Sequence, residues 1–244
     1  MPCAKRSGLP APAELLPWDS EFWGFRIGRV TGERLTPELA RAVDDWASAE
    51  AVRCVYLEAV DEPETVRLAG EHGWDLVEPR LRMTHARGTP LGLDHACGVP
   101  VRLRRREDDG ALRDLARRTE YVTRFVFDQR FPRERLGDYH AAWIDFADAV
   151  LVVEDDGRLL GYITCKLPPE GVDAYLGIVA VDDAAKGGPV ASALLVRAVE
   201  WCQAQGMDTV SVEVAARNVT TQRYVQRHGF RTSRFRLHYH RWYP

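Results

Sequence analysis

A nearly continuous apolar β-type run, Ala174–Val181 (AYLGIVAV), passes into a turn with two glycines, Lys186-Gly187-Gly188, and then into a helix-like stretch, Pro189–Gln203. Few architectures accept that junction. A strand apolar at almost every position expects cover on both faces, as in the middle of a layered sheet. A second strand, Thr209–Val214, and a second helix, Thr220–Arg227, follow. The alternation points to an α/β domain with a central mixed sheet. Gly187 and Gly188 lack Cβ, so their N–H groups can turn toward a ligand. The helix start adds free N–H groups and the positive end of its dipole. Together they form a candidate anion cradle. The spacing is neither the nucleotide P-loop GxxxxGK[ST] nor GxGxxG. An ordinary Gly-Pro helix start, with Pro189 in the first turn, reads the same residues.

The two halves of the chain echo each other. Residues 54–74 read CVYLEAVDEPETVRLAGEHGW and residues 210–230 read VSVEVAARNVTTQRYVQRHGF. A constant offset of 156 brings His72 onto His228, Gly73 onto Gly229, Trp74 onto Phe230 and Leu68 onto Tyr224 (228 − 72 and so on). Each is a strand, loop, helix, His-Gly-aromatic turn and strand. The first half has a leucine for the tyrosine and no counterpart of KGGPVAS. Chance similarity between two such units is the competing explanation. Between the halves, THARGTPLGLDHACGVP is rich in Gly and Pro and reads as a linker. The expected division is 1–84, a linker at 85–100, and 101–244.

Further elements follow from local chemistry. Phe25–Val30 and Val52–Ala59 read as strands, and Thr36–Glu50 as a helix with Thr36 at its N-cap. Glu64–Glu71 reads as a helix ended at Gly73. In the second half, Val101–Arg104 is a strand, and a helix begins at Asp108 or Asp109 and runs to Arg118. Leu136–Ala147 is a helix with Trp143, Phe146 and Ala147 on its buried side. Leu151–Glu154 and Leu160–Cys165 form a hairpin through Asp-Asp-Gly-Arg, and Phe235–His240 is the last strand.

Composition excludes several classes. The 33 basic and 36 acidic residues give a net charge of −3, which provides no general drive toward nucleic acid or an anionic membrane. Arg102–Arg106 (RLRRR) is a local basic run, read as a solvated strand edge or as local steering of an anion. No apolar run approaches the roughly 18 residues of a membrane span. The N-terminus has no apolar signal core, so the cytoplasm is expected. Five cysteines, widely spaced and odd in number, form neither a metal pattern nor a disulfide framework. The seven histidines make no compact ligand set, so no metal is expected.

The C-terminal half resembles the GCN5-related N-acetyltransferase (GNAT) superfamily. Its cofactor loop is usually Gln or Arg, two residues, Gly, any residue, then Gly or Ala. Here Lys186 stands at the Gln/Arg position and Ala191 fits the last, while Pro189 replaces the usual Gly and lacks an N–H. LPWDSEFWGFRIGRV near the N-terminus, RFVFDQRFP and YHAAWIDFA extend the likeness. They resemble bacterial dTDP-fucosamine (dTDP-4-amino-4,6-dideoxygalactose) N-acetyltransferases, in which an incomplete acetyltransferase-like N-terminal domain precedes a working one.

The resemblance implies acetyl transfer from acetyl-CoA to a primary amine of a small molecule, such as a nucleotide-linked amino sugar, in a ternary complex. It implies cofactor contacts from Gly177, Ile178, Val179 and Val181, whose backbone would pair with pantetheine like an added strand, with a β-bulge splaying this strand from the next. Lys186, Gly187, Gly188, Val190, Ala191 and Ser192 would hold the diphosphate, and Asn218 would contact the cofactor arm, although an N-cap role reads the same residue. Tyr224 would protonate the departing thiolate, since a phenol within hydrogen-bond reach can neutralise it. A core tyrosine is the plain alternative.

A backbone N–H near Val179 would stabilise the oxyanion. Glu213, Glu154, Asp128 and a water chain are the candidates for the amine's base. The segment with Tyr121, Arg124, Phe125, Phe127, Asp128, Arg130, Phe131 and Arg133 alternates aromatic and charged side chains, which suits a loop that stacks on a ring and pairs with an anion. Arg124 and Phe125 are expected to bind the cofactor or the sugar nucleotide, with Asp128 on the acceptor side; a solvated helix-loop segment with Phe125 and Phe131 buried is the alternative. A homodimer through the C-terminal strand is also expected. The competing functions are a CoA-binding sensor or structural protein without turnover, and an acetyltransferase for a peptide or protein amine.

Overall fold

The computed structural model describes residues 11–92 and 98–244; Cys3, Cys97 and residues 93–97 of the expected linker lie outside them. The chain begins with β1 (Ala13–Leu15), α1 (Pro17–Trp23), β2 (Ile27–Val30), α2 (Pro37–Ala49), β3 (Cys54–Ala59), α3 (Pro63–Glu71) and β4 (Asp75–Ala86). It continues with β5 (Arg102–Leu103), α4 (Asp109–Arg118), α5 (Arg124–Phe127), α6 (Leu136–Ala142), β6 (Ala149–Asp155), β7 (Arg158–Lys166) and β8 (Asp173–Val181). The last elements are α7 (Val190–Ala204), β9 (Thr209–Ala215), α8 (Val219–Arg227) and β10 (Arg231–Trp242).

These elements gather into two compact units. The first takes the described residues up to Pro79 together with Phe235–Pro244; the second is Arg80–Arg234. In the first unit the strand order is β1-β2-β3-β10, with β2 parallel to β3 and the others antiparallel. Helix α2 starts as its sequence dictates. The Thr36 hydroxyl accepts the Leu39 N–H at 3.1 Å, Pro37 opens the helix, and Glu38 meets the dipole. Val43, Leu57, Leu68 and Trp74 form the core with Leu237 and Tyr239 of β10.

In the second unit the order is β4-β9-β8-β7-β6-β5. Only the β8–β9 pair is parallel, so the sheet is mixed, as expected. One face packs Leu194, Leu195, Ala198 and Cys202 of α7 against Ile163, Cys165, Leu176 and Val210. The other packs Leu112 and Leu115 of α4 and Ala141 of α6 against Val150, Val152 and Tyr162. Alternate residues of β6 and β7 thus serve opposite cores, which is why both strands read as apolar throughout. Burying each such side chain is worth about 1.5–3 kcal/mol.

Three expectations are corrected. The division at 84 and 100 moves because Thr84, His85 and Ala86 are paired with Ser211, Val210 and Thr209 of β9, not in a linker. Likewise Leu237–Trp242 of β10 is paired with β3, from Leu237↔Ala59 to Trp242↔Cys54. That pairing places the C-terminal strand, expected within 101–244, in the first unit. The helix expected over 136–147 stops at Ala142 and tightens to a 3₁₀ turn, Trp143–Phe146. The tighter winding rotates Ile144 into the core and leaves Trp143 and Phe146 exposed.

The internal echo holds residue by residue. Pro63–Glu71 and Val219–Arg227 are offset by 156 at both ends (219 − 63, 227 − 71). Each ends at a histidine and then a glycine at positive φ, Gly73 at +69° and Gly229 at +85°. Trp74 N–H donates to the Ala69 carbonyl as Phe230 N–H donates to Val225. Each unit also borrows from the other half of the chain: β10 follows α8 in sequence but pairs with β3, and β4 follows α3 but pairs with β9.

Candidate active site

The site is built where β8 and β9 part. Ile163 faces Val179 and Cys165 faces Leu176, so Thr164 alone stands opposite Gly177 and Ile178. This is a β-bulge, which bends and twists the strand that carries it. The Thr164 hydroxyl fills the gap, accepting the Ile178 N–H at 2.8 Å. A Cβ on residue 177 would lie 2.6 Å from that same oxygen, so the bulge demands glycine. Beyond it the parallel ladder ends. Leu176↔Val212 is the last pair, although β8 runs on to Val181 and β9 to Ala215.

The orientation of the open edge follows from alternation. Asp182 N–H donates to the Leu160 carbonyl at 2.8 Å, and Ile178 N–H also points toward β7. Alternate peptide groups of a strand face opposite neighbours. Val179 and Val181 therefore turn their N–H and C=O groups into the fork, where β9 no longer pairs with them.

At the end of β8 a 3₁₀ turn, Asp183–Ala185, leads to Lys186, then Gly187 at φ +78°, Gly188, and Pro189 in a helical conformation. The Pro189 carbonyl accepts the Ala193 N–H at 2.9 Å. The N–H groups of Val190, Ala191 and Ser192 are therefore the unsatisfied donors of the first turn of α7. Here the structure corrects the glycine reading. Gly188 N–H donates to the Ala185 carbonyl at 3.2 Å and is spent on the turn. Lys186 is exposed and pairs with Asp183 at 2.5 Å, which raises its pKa.

Helix α8 carries Tyr224 to the same place. Its hydroxyl donates to the Ala191 carbonyl at 2.6 Å, beside the free donors of α7. Burial pushes the phenol pKa up, so it stays protonated at neutral pH. His228 Nδ1 meets the Tyr224 carbonyl at 2.9 Å, and its ring lies edge-on to the phenol. The Asn218 side chain is the N-cap of α8, accepting the Thr221 N–H at 3.0 Å. Asn218→Ala is expected to cost about 1 kcal/mol, read as a lower urea midpoint, with Asn218→Asp near the parent. A parental midpoint for the alanine variant would show the cap to be idle.

The residues expected on the acceptor side fare differently. Phe125 is buried, its ring packed against Phe131 and Tyr139 at 4.9 and 4.8 Å, so it is a core residue rather than an open stacking platform. Asp128 is buried and accepts from Arg130 Nε at 2.8 Å and Arg130 N–H at 3.2 Å, closing a turn. Arg124 lies over the Phe125 ring at 4.8 Å. The proposed bases are all paired: Glu154 with Arg102, Glu213 with Arg80 at 3.2 Å, and Asp128 as above.

Several residues escaped sequence reasoning. Thr164 had no motif. Arg217, in the loop after β9, stacks on Phe127 of α5 at 4.2 Å. An open groove of about 590 Å³ is lined by Gln129, Arg130, Phe131, Pro132, Arg133 and Glu134. Arg130, Phe131 and Arg133 of that lining belong to the alternating segment singled out in the sequence.

The strand that parts from its parallel neighbour at a bulge thus leads, through one turn, into a helix whose first N–H groups are free. Residues 111–230 match the profile of the acetyltransferase (GNAT) family, which uses acetyl-CoA. The protein is an acetyltransferase by that domain. No curated protein matches the sequence. Solved structures share the fold. A GCN5-related N-acetyltransferase from Kribbella flavida superposes with a TM-score of 0.66 at 13% identity, over 97% of this chain and 89% of its own. One from Sphaerobacter thermophilus gives 0.63 at 16%, over 94% and 76%. A tandem GNAT protein from the clavulanic acid biosynthesis pathway gives 0.60 at 16%, over 88% and 75%. Among the described residues no helix is long and apolar enough to cross a membrane.

Proposed function

We propose that the second unit transfers the acetyl group of acetyl-CoA to a primary amine of a small, polar acceptor, by direct attack in a ternary complex. The observation that carries this reading is the fork: an unpaired strand edge at Val179 and Val181 that ends at the free donors of α7 and the Tyr224 hydroxyl. The donors fit the ligand chemically. Val179 and Val181 offer N–H and C=O groups to the amides of an extended arm, as in strand addition. Val190, Ala191 and Ser192 offer N–H groups to a diphosphate. Pro189 removes one donor and leaves those three, so a CoA-binding protein without turnover is the weaker reading.

Acetyl-CoA supplies an activated acyl group. The chain's own residues do the rest. The Val179 N–H faces the fork, where it can donate to the thioester oxygen as charge develops. Tyr224 holds a proton for the leaving sulfur and gives up its bond to the Ala191 carbonyl to deliver it. Glu213, Glu154 and Asp128 already face arginines, so the amine's proton leaves through water. The groove beside Arg130 and Arg133 also holds Glu134, and Arg130 is paired with Asp128, so the nucleotide-linked amino sugar of the resemblance rests on that resemblance. The repeat supports a first unit descended from the same kind of domain, without its cofactor loop or tyrosine.

Calorimetric titration with acetyl-CoA and CoA tests the reading. Micromolar binding of both, followed by thiol release on adding amino-sugar nucleotides, is the expected result. Absence of binding to either would overturn it, and release with peptides alone would move the acceptor to a protein amine.

A further inference from the structure

We infer that Asp182 is the positioning residue of the cofactor loop. It is the joint that fixes where the N–H groups of Val190, Ala191 and Ser192 point, by binding three chain segments with one buried carboxylate. This inference rests on the acetyl-CoA reading above. Asp182 is the first residue after β8, and its side chain is 2% exposed. Oδ1 accepts the Ala184 N–H at 3.1 Å and an Arg158 guanidinium N–H at 2.6 Å. Oδ2 pairs with the Arg118 guanidinium at 2.7 Å. The backbone of the same residue donates to Leu160 and accepts from Ala185 at 2.9 Å.

A cap for the Asp183–Ala185 turn needs one acceptor oxygen. The rest of the arrangement exceeds that need. Arg158 is the first residue of β7, and Arg118 is the last residue of α4, where the segment leading to Tyr121, Arg124 and Phe127 begins. Two half-exposed cations neutralise a carboxylate that is itself out of water, which is the condition for keeping such a charge buried. Between Asp182 and α7 lie only residues 183–189, with Gly187 at positive φ and Gly188 bonded back to Ala185. A loop this short, fixed at its entry, transmits that position to the helix start.

The test is acetyl-CoA titration of the full chain and its variants by calorimetry, beside amide hydrogen exchange of residues 183–192 without ligand. Asp182→Ala is expected to raise Kd about tenfold or more and to speed exchange in the loop. Asp182→Asn keeps an oxygen for Ala184 but loses both ion pairs, and is expected to raise Kd about threefold or more. Thr36→Ala, which removes a cap in the other unit, should lower stability and leave Kd unchanged, so loss of stability alone does not imitate the effect. If Asp182→Ala does not fold, Asp182→Asn and Arg158→Ala decide. Parental Kd and exchange in folded variants of a parent that binds acetyl-CoA would overturn the inference alone. A parent that binds no acetyl-CoA would overturn the reading of the site together with it.

Discussion

Tyr224→Phe is expected to lower kcat by roughly 100-fold, in the range for a lost general acid, while acetyl-CoA binds as before. The phenol ring stays packed beside α7, so the cofactor loop keeps its shape. What goes is one hydroxyl, bonded to the Ala191 carbonyl at 2.6 Å. Losing that bond costs about 1 kcal/mol of stability, visible as a small fall in Tm. Such a cost leaves the folded population nearly complete, so it does not imitate a 100-fold rate loss.

The pH profile gives a second reading of the same residue. Burial raises the phenol pKa, so the protonated donor persists as pH rises through neutrality and above. The parent should therefore show no alkaline decline from Tyr224 up to about pH 10, the ordinary value for tyrosine. Equal kcat in parent and phenylalanine variant would remove Tyr224 from the reaction.

Gly177→Ala is expected to lower kcat/KM by about 10-fold or more, because the new methyl would sit 2.6 Å from Thr164 Oγ1. Thr164 must then leave the Ile178 N–H, and the bulge that opens the fork loses its filler. The decisive measurement is a double-mutant cycle. In a Thr164→Ala background the oxygen is absent and the methyl has room, so Gly177→Ala should do much less harm there. Additive losses would show that Gly177 and Thr164 do not act as one unit.

The turn into α7 was legible from sequence because its signal is local: glycine beside a helix start. The hairpin turn was legible for the same reason. Asp156 and Gly157 take φ of +47° and +75°, as an Asp-Gly hairpin requires. The fork was named only through family resemblance. Its cause is tertiary: a ladder that stops at Leu176↔Val212 and a threonine from another strand, and neither leaves a mark in strand propensity.

The acceptor segment left two readings open for a related reason. Alternating aromatic and charged residues describe a ligand platform and a folded turn equally well. In RFVFDQRF the contacts decide for the turn at Phe125 and Asp128. Helix α5 spans only Arg124–Phe127, too short for any periodicity to announce it. Strand β1 has three residues and helix α1, Pro17–Trp23, seven, likewise too few for periodicity to announce them.

The crossed strands have a consequence for descent. Each half ends in a strand that completes the other half's sheet, β4 beside β9 and β10 beside β3. The first half has no counterpart of KGGPVAS, and Leu68 stands where the second half has Tyr224. It cannot be deleted, because its last strand lies against the strand on one side of the fork. The first half is thus tied to the fold by the backbone it lends, and a chain trimmed of it would lose the strand that flanks β9.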